Sequence, residues 1–210
     1  MKDIHELAGL TLSWGARVMS GASGRWVDCE PSSRQRVYFA NHSSHLDILI
    51  LWASLPADVR RMTRPVAARD YWWRNAVRRY LVTRVFNAIM IERREHGGGF
   101  RGAYEAIEAT LQGMGDHYSI IIFPEGTRGS GEKIGEFKGG IYSIAEAKPG
   151  VEFVPVYIEN VSRILPKGEL LLVPLLSSIT FGKPLTLGKD ERKREFLGRA
   201  RQAVVDLQEA

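Results

Sequence analysis

One stretch limits the fold more than any other: Tyr118–Phe123, in which three isoleucines run together with no polar alternation. A short β-branched run of this kind suits a strand buried on both faces, and such strands belong to parallel sheets covered by helices. Arg36–Ala40, Pro65–Ala68, Ala88–Ile91, Phe153–Ile158 and Ile179–Phe181 read as further strands. Between them, Leu46–Ser54, Tyr71–Phe86, Phe100–Gln112 and Gly140–Ala147 read as helices, and Glu191–Gln208 as a charged terminal helix. The alternation predicts an α/β fold: a single domain with a mixed, largely parallel sheet flanked by helices. Ahead of it, Ile4, Leu7, Leu10, Leu12, Trp14 and Val18 outline an N-terminal amphipathic helix within residues 1–24, which leaves 25–210 for the domain itself. At 210 residues the chain is long enough to bury a substantial core.

Charge is unevenly placed. The net charge is +5, yet the segment from Arg60 to Arg94 alone carries ten Arg against Asp70 and Glu92, a local balance of +8 that leaves the rest near −3. Tyr71, Trp72, Trp73, Tyr80 and Phe86 are interleaved with those arginines. Basic and aromatic residues together suit an anionic membrane surface or nucleic acid, and a plain solvated basic face fits as well. No window reaches the ~18 consecutive apolar residues of a membrane span; the longest runs, Ile48–Ala53 and Leu170–Leu176, read as core. The start of the chain lacks the basic, apolar and cleavable parts of a signal peptide. Cys29 is the only cysteine, which excludes an internal disulfide framework and a cysteine-based zinc site and fits a reducing compartment.

Chemistry collects in two loops that follow strands, where α/β sheets bind ligands. The first is Asn41-His42-Ser43-Ser44-His45-Leu46-Asp47. A five-residue step on a helix turns roughly 140°, so His42 and Asp47 meet only if His42 stands outside the helix. There Asp47 can hold one ring nitrogen and leave the other free as a base. Taken alone, the pair reads sooner as a loop histidine beside a helix-capping aspartate. His45 adds a weaker possibility, a metal cluster of His42, His45 and Asp47, which still wants further ligands from elsewhere. The second loop, Phe123-Pro124-Glu125-Gly126-Thr127-Arg128-Gly129, offers glycine backbone and an arginine fork to an anion. It lacks the spacing of a P-loop. Arg93 follows an apolar strand, and Lys138 precedes a helix whose N-terminus favours an anion.

In order along the chain, Asn41-His42 to Asp47, Ile89–Arg93, Phe123–Arg128 and Val154-Pro155-Val156, with Phe137-Lys138-Gly139-Gly140 between the last two, resemble the lysophosphatidic acid and glycerol-3-phosphate acyltransferase family. The resemblance spans about residues 36 to 185. It implies that His42 deprotonates an acceptor hydroxyl while Asp47 holds His42. The acceptor oxygen then attacks an acyl thioester, from acyl-CoA or acyl-carrier protein, without an acyl-enzyme. Arg93, Glu125, Gly126, Thr127 and Arg128, supported by Lys138, become the acceptor and phosphate pocket, and Pro155 the acyl side. His45 becomes a bystander, and no metal or other cofactor is needed. The favoured acceptor is lysophosphatidic acid, with other lysolipids or glycerol 3-phosphate as alternatives; a His/Asp metallohydrolase and a lipid-binding scaffold are the readings from other classes. In this context Trp72, Trp73, Arg74 and Arg78 face an anionic membrane rather than nucleic acid, and the protein sits peripherally on the cytoplasmic face. The chain departs from the family pattern at Asn87, near a usual glycine, at Glu152, where proline is common, at Gly129 for serine, and at Arg69 for lysine.

Overall fold

A computed structural model of the chain describes residues 24–92, 99–129, 133–159 and 178–209, together with Gly9, Thr11 and Gly15. Those three are helical; the remainder of the expected N-terminal helix, Arg93 and the apolar run Leu170–Leu176 lie outside the described residues. Seven strands form one sheet: β1 (Gly24–Trp26), β2 (Arg36–Ala40), β3 (Thr63–Ala68), β4 (Ile89–Ile91), β5 (Ser119–Ile122), β6 (Glu152–Ile158) and β7 (Ile179–Phe181). Their spatial order is β1-β7-β6-β2-β5-β3-β4. Every adjacent pair is parallel except β6 with β7. The helices are α1 (Asp47–Ser54), α2 (Ala57–Arg61), α3 (Arg69–Trp72), α4 (Ala76–Tyr80), α5 (Gly99–Met114), α6 (Gly140–Ala147) and α7 (Lys193–Asp206), with a π-helical turn at Leu81–Val85.

The central strands are buried on both faces because side chains alternate across the sheet. Tyr38, Ala40, Ile121 and Val154 point to one side, where they pack with Leu51 and Trp52 of α1, with Leu55 just after it and with Phe86. Val37, Phe39, Ile120, Ile122 and Phe153 point to the other, against Ile141 and Ile144 of α6 and Phe196 of α7. The register Tyr38↔Ile121 and Tyr38↔Val154 keeps each layer in line. Because β2, β3, β4 and β5 run in parallel, their C-terminal ends open on one edge, and the loops after β2 and β5 emerge side by side.

The expected helix Tyr71–Phe86 is instead broken. Asn75 is extended (φ −148°), and its side chain accepts the Arg78 N–H, so it caps a new helix in mid-segment. Asn87, standing near a usual glycine, has φ +47°. Asparagine tolerates that left-handed conformation better than other non-glycine residues, so the turn into β4 survives the substitution. Glu152, in place of proline, pairs with Arg36 at 2.7 Å.

Candidate active site

Helix α1 begins at Asp47, and His42 lies before it in the loop that leaves β2. The ring Nδ1 stands 2.8 Å from Asp47 Oδ2. That oxygen also accepts the backbone N–H groups of Ser43 and Ser44, at 2.7 and 2.8 Å. The loop therefore wraps around one carboxylate oxygen, and Asp47 is wholly buried. Because Oδ2 acts as an acceptor throughout, Nδ1 carries the proton and Nε2 keeps its lone pair. Phe123, from the second loop, stacks on the imidazole with ring centres 4.3 Å apart. The ring thus has its position set from one face and one edge.

The two loops are also tied through Glu125. One carboxylate oxygen accepts the His42 N–H at 2.8 Å and the other the Gly135 N–H at 2.9 Å. In return Gly129 N–H donates to the His42 carbonyl at 2.8 Å. Glu125 is buried and engaged with backbone, so it braces the histidine loop instead of facing a ligand. Asn41 fixes the other side of the loop through a pair of hydrogen bonds with the Ile158 backbone at the end of β6.

His42 opens into a groove of about 1140 Å³. Ile48, Val66, Ile107, Ile122 and Ile144 give it an apolar interior, while Arg74, Arg101, Arg128, Lys138 and Lys193 supply positive charge. Gly126 takes φ +69°, and Lys138 lies directly over it. Thr127 is exposed and Arg128 reaches the groove. His45, expected to be a bystander, also lines the groove: it stacks on Tyr71 at 4.1 Å, with Arg78 over the Tyr71 ring. Burial, and then the nearby Arg128, His42 and Arg78, push its pKa down to about 4. Among the described residues no three His, Cys, Asp or Glu side chains gather as a metal site, so His42, His45 and Asp47 do not form one.

The family model described as Acyltransferase matches residues 28–159. The chain belongs to the acyltransferase family. It is 29% identical over 176 residues to a 1-acyl-sn-glycerol-3-phosphate acyltransferase of Chlamydomonas reinhardtii, covering 83% of this chain and 48% of that one. A protein of the same description from Cocos nucifera is 26% identical over 157 residues, 74% of this chain and 47% of its own. The chain thus spans about half the length of these curated relatives. Among solved structures, the 1-acyl-sn-glycerophosphate (LPA) acyltransferase PlsC of Thermotoga maritima superposes with a TM-score of 0.71. At 22% identity that match, covering all of this chain and 83% of the other, shows the fold.

Several expected positions fall elsewhere within this acyltransferase fold. Pro155 sits inside β6 opposite Phe39, buried, with its carbonyl accepting the Gly182 N–H, and it does not reach the groove. The apolar wall comes instead from α5, α6 and the strand ends. Trp72, expected on the membrane side, turns inward and meets Tyr71 and Phe86 edge-on. Trp73, Val77 and Tyr80 are the exposed apolar side chains of that region. Two residues of α7 escaped the sequence reading. Lys193 lines the groove, and Arg201 donates to the carbonyls of Ile134 and Gly135 at 2.7 to 3.2 Å. Gly135 in turn holds Glu125, so α7 braces the segment that braces His42. Nothing local in a charged terminal helix marks either role.

Proposed function

We propose that this protein transfers an acyl group from an acyl thioester to the hydroxyl of lysophosphatidic acid, giving phosphatidic acid. The observation that carries the reading is the His42–Asp47 pair, with Nε2 free, at an apolar groove rimmed by cationic side chains. The relatives from Chlamydomonas reinhardtii and Cocos nucifera, both 1-acyl-sn-glycerol-3-phosphate acyltransferases, favour the same acceptor. In this reading Nε2 accepts the acceptor's hydroxyl proton as its oxygen bonds to the thioester carbonyl carbon. The tetrahedral oxyanion then collapses, the C–S bond breaks, and the imidazolium returns the proton to the leaving thiolate. Asp47 holds the ring in the required tautomer and stabilises the imidazolium. No acyl-enzyme forms, because the acceptor oxygen is itself the nucleophile.

Arg128 and Lys138, with the backbone at Gly126, suit the acceptor phosphate, and Arg93 belongs to the same expected pocket. The apolar interior suits acyl chains. No helix of the described residues is long and apolar enough to cross a membrane, and in our reading the protein works peripherally on an anionic surface at the cytoplasmic face. The test is a thiol-release assay with acyl-CoA and acyl-carrier protein against lysophosphatidic acid, glycerol 3-phosphate and other lysolipids. Turnover with lysophosphatidic acid that vanishes in His42→Ala supports the proposal. Preference for another acceptor corrects the substrate, and full activity in His42→Ala sinks the mechanism.

A further inference from the structure

Two lysines from different parts of the chain meet one wall of the groove. Lys138 lies over Gly126, where an added Cβ would come within 2.9 Å of its amine. Lys193, the first residue of α7, lays its amine and terminal methylene against Gly139, where any Cβ would collide with them. Both side chains line the groove. Both residues are exposed at the mouth of the groove, and among the described residues no carboxylate pairs with either amine. The backbone that carries Lys193 is fastened. Glu195 accepts the Arg192 N–H at 3.1 Å, Glu191 accepts the Gly188 N–H at 3.0 Å, and Arg199 bridges Glu191 and the Thr186 carbonyl. Phe196, one turn on, is fully buried. The amine is therefore delivered from a rigid root to the same groove that the Lys138 amine lines.

An ammonium held without a counter-ion in a concave site is poised for an anion, and each offers three donors. Arg74, in the segment after α3, lines the same groove, so its cationic groups come from separate parts of the chain. Acyl transfer from a thioester to a phosphorylated glycerolipid brings two anionic partners into one groove, and it needs a separate handle for each. We infer that Lys193, with Lys138, forms an anion subsite on the α6–α7 wall that holds a phosphate group of one substrate. This rests on the acyl-transfer reading. The phosphate is either in the donor's nucleotide and pantetheine arm or in the acceptor's monoester.

The experiment uses the full chain and its Lys193→Met and Lys193→Arg variants. Binding of CoA and of glycerol 3-phosphate is measured by calorimetry with no turnover, alongside thermal melting. Lys193→Met is expected to weaken one ligand roughly tenfold, as loss of a charge-assisted contact implies, and to spare the other. Lys193→Arg stays near the wild type. Loss of CoA assigns the subsite to the donor, and loss of glycerol 3-phosphate to the acceptor. Unchanged binding of both ligands overturns the inference. So does equal weakening of both with a lowered melting temperature, or a wild-type protein that binds neither. A wild type that binds CoA yet transfers no acyl group to any acceptor rejects the proposed function while leaving the lysine comparison readable.

Discussion

Asp47 Oδ2 receives His42 Nδ1 and two backbone N–H groups at once, which makes one buried oxygen the fixed point of the whole histidine loop. Asp47→Asn keeps the size and can keep an oxygen at that point, but it removes the negative charge that stabilises the imidazolium. We expect kcat to fall roughly 10³-fold, in the range of lost general-base catalysis. His42→Ala should lose at least as much while melting near the wild type. Turnover within tenfold of wild type in both variants argues against a base at this position.

Glu125 and Arg201 act behind that pair. Glu125→Gln must aim its NH2 at the N–H of His42 or of Gly135, and leaving one such buried donor unmet costs about 1–3 kcal/mol. Arg201→Met removes the donors to Ile134 and Gly135. Both substitutions should lower kcat with KM for either substrate nearly unchanged, since neither side chain lines the groove. Arg201→Lys should recover part of the loss. Steady-state kinetics with urea melts separates this from a general loss of fold.

Legibility in the sequence followed how local each cause is. Strands β2 and β7 stand where their apolar runs place them, because burial on both faces leaves an uninterrupted signature. Strand β1 carries no such mark: it is three residues at a sheet edge, held by pairing with β7. The break at Asn75 had a signal, a capping residue, that the apolar and basic periodicity of Tyr71–Phe86 obscured. His42 and Asp47 were readable as a pair because both lie in one loop and its helix. Glu125, Lys193 and Arg201 act across long sequence separations, so their roles exist only once the sheet has set the loops side by side. Pro155 shows the converse: it sits at a recognisable motif position, but in β6 it packs beside Gly182 and Leu207 and does not line the groove.

Gly126→Ala tests the cradle under Lys138. With φ at +69° an alanine is strained by about 1–2 kcal/mol. Its methyl group would also displace Lys138. A lowered urea midpoint together with a raised KM for a phosphate-bearing substrate is expected. Wild-type KM in the variant would show that Lys138 need not lie there.

His45 has a folded pKa of about 4 against an ordinary 6.5, with burial as the largest cause. A histidine lowered in this way leaves the unfolded chain binding more protons below pH 6.5. Its stabilising contribution is therefore complete above that value and is lost as pH falls from 6.5 towards 4. His45→Gln should show a shallower fall of melting temperature across that window than the wild type. Equal slopes would show that folding does not lower the proton affinity of His45.

The exposed apolar residues beside the groove point to how a lipid acceptor would be reached. Val77 is 69% exposed and Tyr80 38%, and three residues apart on α4 they share a face. Trp73, at 39%, lies just before that helix, and Arg74 and Arg79 are exposed in the same segment. Apolar side chains flanked by arginines suit the boundary between headgroups and acyl chains of an anionic bilayer. Wild-type protein should co-float with phosphatidylglycerol vesicles and much less with phosphatidylcholine vesicles, and raised salt should release part of it. Val77→Glu sets a like charge against the headgroups and removes apolar area, so it should reduce flotation several-fold. Because Val77 does not line the groove, turnover of a water-soluble acceptor should be unaffected. Undiminished flotation of Val77→Glu would move the membrane contact to another face of the molecule.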